Sequence, residues 1–241
     1  AADFLASAFQ VDSVVVSDTW VQRLRRNTAA HLLLVLVALA AGIIVAIPVG
    51  ILASRNEAVG QVALGVTGVM QTVPALALLV LMIPLVGINA PPAILALFLY
   101  SLLPMVRNTY DGIRGIPVSV TESAVALGLT PGARLRLVEL PLAMPSILAG
   151  AKIAAVQLVG FATLGAFVGA GGYGQPILTG IRLDDKWLLM EGALPAVVGE
   201  TGLEAAATGG PFEGVLHSKG TLTLTLTLTL TLTLTLTPTL T

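Results

Sequence analysis

The chain is short of the residues on which most metal, redox and catalytic sites depend. Its 241 residues include no cysteine and only two histidines, His31 and His217. The lack of cysteine excludes a disulfide framework, a thiolate metal site and a cysteine nucleophile. Two histidines leave almost no material for a histidine metal site or a catalytic triad. We therefore expect neither a metal site nor a cofactor.

Charge is scarce as well. Asp, Glu, Lys and Arg together make up 10% of the residues, against roughly 25% in a soluble globular domain. So few charges cannot cover a water-facing surface, and a net charge of −1 offers no basic surface to a nucleic acid. The chain also has no GxxxxGK phosphate loop, no HExxH motif and no GxSxG motif. These absences argue against an enzyme and against a nucleic-acid-binding protein.

Long apolar runs take the place of the missing charge. Hydrophobic residues make up 56% of the chain, and Asn27–Ser54, Ala58–Val106 and Ile153–Ile181 contain no charged residue. A helix needs about 20 apolar residues to span a bilayer. The middle run is therefore long enough for two spans, and the turn-forming residues Gly87–Pro92 divide it. We predict spans at Ala29–Ala53, Val62–Val86, Ala93–Tyr110 and Leu142–Val168, with a fifth that begins near Leu188.

The orientation of the spans follows from the arginines and lysines in the short loops. The loop between spans three and four is rich in arginine, and the loop between spans two and three has none. This difference predicts that the arginine-rich loop is cytoplasmic. The amino-terminal segment 1–28 disagrees, because its arginines would then lie outside, and we interpret it as an interfacial amphipathic segment. The loop arginines are Arg107, Arg114, Arg134 and Arg136, and the amino-terminal ones are Arg23, Arg25 and Arg26.

A polar loop of about residues 112–141 interrupts this apolar chain. Its spacing is Glu122-Ser123-Ala124, three residues, Gly128, nine residues, then Val138-Glu139-Leu140-Pro141. We predict two short helices around a turn, with Thr121 and Thr130 as caps and Gly128 in the left-handed conformation. One interpretation is a segment that docks in a groove of another protein. The other is an amphipathic loop that lies on the membrane surface.

The spacing of this loop resembles the pattern Glu-Ala-Ala, three residues, Gly, nine residues, Ile-x-Leu-Pro of ABC importer permeases. Ser123 and Val138 are near neighbours of the family residues. Three further segments, Gln71–Leu79, Leu102–Tyr110 and Ala162–Gly174, resemble the branch that imports quaternary-amine osmoprotectants such as glycine betaine, choline and carnitine. Methionine-type importers share the architecture and are the nearest alternative.

The resemblance implies an all-α polytopic membrane protein, a helical bundle like that of methionine-importer permeases with a cytoplasmic coupling helix. It implies a multi-pass protein of a bacterial or archaeal cytoplasmic membrane. Its partners would be an ABC ATPase subunit that hydrolyses ATP, a substrate-binding protein and a second, identical or different, permease subunit. The residues that would couple the permease to conformational changes of the ATPase are Glu122, Ser123, Ala124, Gly128, Leu140 and Pro141.

Polar residues inside the apolar spans are candidates for the translocation path, because a polar group in lipid needs a partner or a water-filled cavity. These candidates are Gln71, Thr72, Gln157 and Thr163. Hydrogen bonding between helices is the other interpretation. A glycine-rich segment follows the fourth span and is a candidate outer loop facing the binding protein, or a simple turn; its residues are Gly169, Gly171, Gly172, Tyr173 and Gly174.

The end of the chain changes character after Val198. Span-like composition stops there, and residues 221–236 are a perfect Thr-Leu repeat. We predict a permease domain over 29–198 and a tail over 199–241 that is irregular or resembles a β-hairpin. A shifted reading frame would explain this composition, and a genuine exposed hairpin or tether is the alternative. The fifth span would then be too short to cross a bilayer.

Three hypotheses for function follow. The first is the permease subunit of an osmoprotectant importer. The second keeps the architecture and changes the solute to methionine or another small molecule. The third is a non-transporting membrane scaffold whose polar loop only docks a partner. Association with an ATPase separates the first two hypotheses from the third.

Overall fold

The computed structural model describes residues 20–208, and every regular element in that part of the chain is a helix. The predicted all-α fold is therefore confirmed. A π-helical turn, Leu135–Glu139, joins α6 to α7, and a 3-10 helix, Thr163–Val168, follows α7. The α-helices are α1 Trp20–Arg55, α2 Glu57–Thr72, α3 Ala75–Val86, α4 Ala90–Arg114, α5 Val118–Ala126, α6 Pro131–Arg134, α7 Leu140–Ala162, α8 Gly174–Leu183 and α9 Lys186–Thr208.

Three helical stretches of the described chain are long and apolar enough to cross a membrane: α1, α4 and the continuous stretch Pro131–Val168. A fourth crossing is possible only if α2 and α3 act together, because they are bent by 101°. Val62–Val86 was predicted as one span, and the structure divides this stretch into two helices with a bend much larger than a local kink. The bend has a local cause: Pro74 disfavours helical backbone at the residue before it, and Val73 is extended, with φ −70° and ψ 128°.

The core lies where α4 packs between α1 and α7. Glycines allow this approach, since small residues bring membrane helices close together. A Cβ atom added to Gly50 of α1 would lie 2.5 Å from the Cβ of Thr109, and one added to Gly150 of α7 would lie 2.7 Å from the Cβ of Asn108. The buried side chains of these three helices include Leu34, Ala38, Ala96, Leu97, Met105, Val106, Ala154 and Leu158.

The first helix begins at Trp20, nine residues before the predicted span, so residues 20–28 continue directly into it. Arg23 near its start forms a double hydrogen bond with Glu191 of α9, at 3.2 and 3.1 Å. The positive charge of Arg23, which disagreed with the orientation predicted from the loops, is thus offset inside the fold. Residues 1–19 lie outside the described part of the chain.

The last helix corrects the prediction for the end of the chain. We expected helical structure to stop near Val198 and an irregular or hairpin-like tail to follow, but α9 continues to Thr208. Glu, Leu and Ala after Val198 are good helix formers, and they outweigh the cost of two glycines. The carboxylate of Glu200 lies against α7, with Oε1 3.3 Å from the Cβ position of Gly160. The predicted tail over residues 209–241, with its repeat, lies outside the described residues.

Candidate functional site

The polar loop forms the predicted pair of short helices around a turn. Helix α5 ends at Ala126, Gly128 has a φ of +79°, and α6 begins at Pro131. The Thr130 hydroxyl caps α6 by accepting a hydrogen bond from the N–H of Ala133, at 3.4 Å. The roles predicted for Gly128 and Thr130 are therefore confirmed.

The cap predicted at Thr121 was wrong. Helix α5 begins three residues earlier, at Val118, directly after Pro117. The Thr121 hydroxyl lies inside the helix and donates to the carbonyl of Val118, at 2.8 Å. Pro117 explains the earlier start, because proline has no N–H to leave unpaired and its fixed φ suits the beginning of a helix.

The surface of α5 exposes an acidic group among apolar ones. Glu122 and Ser123 are exposed, whereas Ala124 is buried, at 4% exposure. The apolar side chains of Val125 and Leu127 are 54% and 82% exposed. An open groove of about 330 Å³ runs beside this face, lined by Thr121, Glu122, Val125, Ala126 and Arg134. This part of the loop is therefore an exposed surface rather than part of the packed core.

The last residues of the motif, Leu140 and Pro141, connect the loop to α7. Pro141 stands in the first turn of α7, and Leu140 packs against the buried cluster of Ile113, Ala143 and Ile147. The loop is therefore anchored in the bundle at one end and exposed at Glu122–Gly128.

The candidate path residues on α2 lie at the bend between α2 and α3. The amide Nε2 of Gln71 donates to the carbonyl of Tyr100 on α4, at 3.0 Å. The Tyr100 hydroxyl in turn donates to the carbonyl of Val73, and its ring packs on Phe161 with centroids 4.9 Å apart. Thr72 is exposed, and its hydroxyl donates to its own helix at Val69, at 2.7 Å.

The other two path candidates belong to the fourth predicted span. The side-chain oxygen Oε1 of Gln157 is buried and has no hydrogen-bond partner among the described residues. The Thr163 hydroxyl donates to the carbonyl of Gly160, at 2.7 Å. Gln157 lies one helical turn before Phe161, whose ring packs on Tyr100. That these four residues line a path stays a prediction.

The glycine-rich segment after α7 needs its glycines. Gly169, Gly171 and Gly172 have φ values of +80°, +85° and +78°, a conformation that side chains disfavour. A Cβ atom on Gly174 would lie 1.8 Å from the carbonyl oxygen of Thr163. Three of these positions therefore require glycine for their backbone conformation, and Gly174 requires it for lack of space.

Tyr173 fastens this segment to the first half of α1. Its ring packs on His31 with centroids 4.7 Å apart, and its hydroxyl donates to the Thr28 hydroxyl, at 2.9 Å. Arg55, at the other end of the same helix, contacts the polar loop. Since a helix rises 1.5 Å per residue, His31 and Arg55 are about 36 Å apart. The glycine-rich segment and the polar loop thus lie at opposite ends of the bundle.

Comparison with known proteins assigns a family to this architecture. The model of the family described as "Binding-protein-dependent transport system inner membrane component" matches residues 38–237. The chain belongs to this family. It is therefore an integral, multi-pass membrane component of a transport system.

Curated relatives and solved structures agree with this assignment. The choline transport system permease protein OpuBB of Bacillus subtilis (strain 168) is 42% identical over 172 residues, which are 71% of this chain and 79% of the relative. The carnitine transport permease protein OpuCB of Listeria monocytogenes is 42% identical over the same shares. The permease fold also matches the inward-facing MetNI methionine ABC transporter, with a TM-score of 0.71 and 25% identity over 80% of this chain and 96% of that one.

Glu139 is a residue of the permease that the sequence reasoning missed. It was counted only as the variable position in the motif, yet it is buried, at 2% exposure, and pairs with Arg55 and Arg134. One signal could have found it. Glu139 precedes Ala143 and Ile147 at intervals of four residues, so the helical period places it on the buried face. A charge on that face requires a partner.

The bend between α2 and α3 allows a test of what Tyr100 contributes. Tyr100→Phe removes the hydrogen bond to the Val73 carbonyl, and we expect the permease to lose about 1 kcal/mol of stability. Thermal unfolding in detergent measures this change. Tyr110→Phe is the matched control, because the Tyr110 hydroxyl makes no hydrogen bond within residues 20–208 while its ring keeps the contact with Arg114, at 5.3 Å. Equal stability of the two variants would contradict the prediction.

Proposed function

We propose that the chain is the permease subunit of an ABC importer for quaternary-amine osmoprotectants of the glycine betaine, choline and carnitine type. The observation that carries the proposal is the 42% identity to permeases named for choline and for carnitine, over 79% of each relative. The methionine transporter, at 25% identity, shares the fold but is less similar in sequence. A quaternary amine is therefore the better-supported class of solute.

The polar loop is the part of the chain that we assign to energy coupling. Its exposed face combines Glu122 with Val125 and Leu127, and a short helix of this composition suits a groove on a partner protein. We propose that the partner is a separate ATPase subunit on the cytoplasmic side of a bacterial or archaeal cytoplasmic membrane. The arginine excess of this loop agrees with that side.

Two further partners complete the proposed importer. A separate binding protein would select the solute and dock at the glycine-rich segment, which lies at the end of the bundle opposite the polar loop. A second permease subunit would form the other half of the path. Bacillus subtilis has two relatives with the same transport-system name, OpuCB and OpuCD, at 42% and 44% identity. This pairing supports a second permease, which would be either a different chain or an identical one.

Reconstitution tests the proposed function. The permease, its ATPase and its binding protein are placed in proteoliposomes, and the uptake of radiolabelled glycine betaine, choline and carnitine is compared with that of methionine. We expect ATP-dependent uptake of at least one quaternary amine and none of methionine. Uptake of methionine alone would contradict the solute class. A complex that binds the ATPase but moves no solute would favour the scaffold hypothesis.

A further inference from the structure

We propose that Glu139 is a positioning residue that ties the polar loop to the turn between α1 and α2, so that a displacement of the loop also moves α1. This inference rests on the proposed coupling function of the loop. It adds a defined side chain through which the movement enters the membrane-spanning bundle.

The contacts of Glu139 join three separate parts of the chain. Its Oε1 accepts a hydrogen bond from Nε of Arg134 at 2.8 Å and one from Nη1 of Arg55 at 3.2 Å. Its Oε2 accepts from Nη2 of Arg55. Both carboxylate oxygens are therefore engaged, one arginine comes from α6 of the polar loop, and the other is the last residue of α1.

Arg55 stands at the short junction between α1 and α2. Asn56 alone separates α1 from α2, and its side-chain oxygen caps α2 by accepting from the N–H of Ala58, at 2.9 Å. Arg114 at the end of α4 donates to the carbonyl of Ser54, at 3.4 Å. A displacement of the Arg55 guanidinium is therefore expected to move both the end of α1 and the start of α2.

The backbone beside Glu139 departs from regular α-helix. Residues Leu135–Glu139 form a π-helical turn, in which the N–H of Leu140 bonds to the carbonyl of Leu135. Such turns are rare and occur often at functional sites. Glu139 thus ends the irregular turn that leads from the polar loop into α7, and its buried carboxylate joins this turn to the end of α1.

Burial makes the ionic attachment resistant to separation. The Glu139 side chain is 3% exposed, and its partners Arg55 and Arg134 are 36% and 25% exposed. A carboxylate that lost both partners in this position would be desolvated and unpaired, which is strongly unfavourable. The loop and the end of α1 are therefore expected to move together rather than part.

A neutral and a charge-reversed variant test the tie in proteoliposomes. Glu139→Gln removes the charge, and we expect the complex to assemble and hydrolyse ATP while solute moved per ATP falls at least about fivefold. Reversing the whole cluster (Arg55→Glu, Arg134→Glu and Glu139→Arg) should recover much of that ratio. Asp111→Asn is the matched control, since it breaks an exposed ion pair with Arg107, at 3.7 Å, and should leave the ratio unchanged.

A double-cysteine variant separates positioning from folding. The chain has no cysteine, so Arg55→Cys with Glu139→Cys introduces the only two thiols. We expect low transport per ATP before treatment, recovery when a short bis-methanethiosulfonate reagent bridges the pair by forming a disulfide with each cysteine and releasing methanesulfinate, and loss again when these disulfides are reduced. An unchanged ratio in Glu139→Gln, or a bridged pair that does not recover, overturns the proposal. Failure of the unmodified permease to bind or stimulate an ATPase would instead contradict the proposed function itself.

Discussion

Replacing Gly128 with valine is expected to abolish solute uptake while the chain still inserts and assembles with its partners. Gly128 has a φ of +79°, and a Cβ atom added to it would meet nothing within 4 Å. The substitution therefore causes no clash, and its whole effect comes from backbone conformation. The left-handed conformation costs a side chain about 1–2 kcal/mol, and more for a β-branched one. We expect the turn to open and α5 to lose its alignment with the ATPase.

Gly132 provides the matched control within the same loop. A Cβ atom there also meets nothing within 4 Å, but its backbone lies in α6 and has no positive φ. Gly132→Val should therefore keep uptake near the unmodified level. Uptake and ATP hydrolysis are measured side by side in proteoliposomes. Equal uptake by the two variants would mean that the turn at Gly128 has no part in coupling.

The second large effect is expected at Gly150, where the substitution should prevent the bundle from packing. A Cβ atom there would lie 2.7 Å from the carbonyl oxygen of Pro104 and 2.7 Å from the Cβ of Asn108. Neither neighbour is the end of a flexible chain, so α7 and α4 must separate. Overpacking typically costs about 1–3 kcal/mol. Valine adds two methyl groups beyond the Cβ atom that already clashes, so we expect a large loss of stability. We expect little protein in the membrane fraction.

Gly68→Val is the control for this prediction. Gly68 lies on α2, where an added Cβ atom meets nothing within 4 Å. It should leave the amount of membrane-inserted protein and its elution as a single species in detergent unchanged. If Gly150→Val also behaves in this way, the close contact of α4 with α7 is not needed for folding.

The membrane helices were predictable because they depend on local composition. The charge-free run Asn27–Ser54 lies inside α1, and Ala93–Tyr110 lies inside α4. The bend after Thr72 was not predicted, because the apolar composition of Val62–Val86 indicates only one continuous run. At the bend, the Val73 carbonyl accepts a hydrogen bond from the Tyr100 hydroxyl of another helix. That interaction is not local and leaves no pattern near Pro74.

In the polar loop, too, local features were predictable from the sequence and long-range contacts were not. Gly128 acts through its own backbone conformation and Thr130 through a hydrogen bond to a residue three positions later, so the local sequence was enough to predict the turn and the cap. The role of Glu139 depends on Arg55, which is 84 residues away, and spacing within a motif carries no information about such a partner. The end of α9 was missed for a different reason. The loss of apolar composition after Val198 was interpreted as the end of a helix, although Glu and Ala favour helix as strongly as Leu does.

The unbroken course of α1 has a consequence for how the two faces of the permease influence each other. This helix of 36 residues, about 54 Å long, contacts Tyr173 near its start and Glu139 at its end. Pro48 removes only one of its internal hydrogen bonds. Under the function proposed above, the ATPase and the binding protein would act on this one helix from its two ends, and thermodynamic linkage between two binding events is reciprocal. If nucleotide changes the affinity for the binding protein by some factor, docking of the binding protein must change the affinity for nucleotide by the same factor.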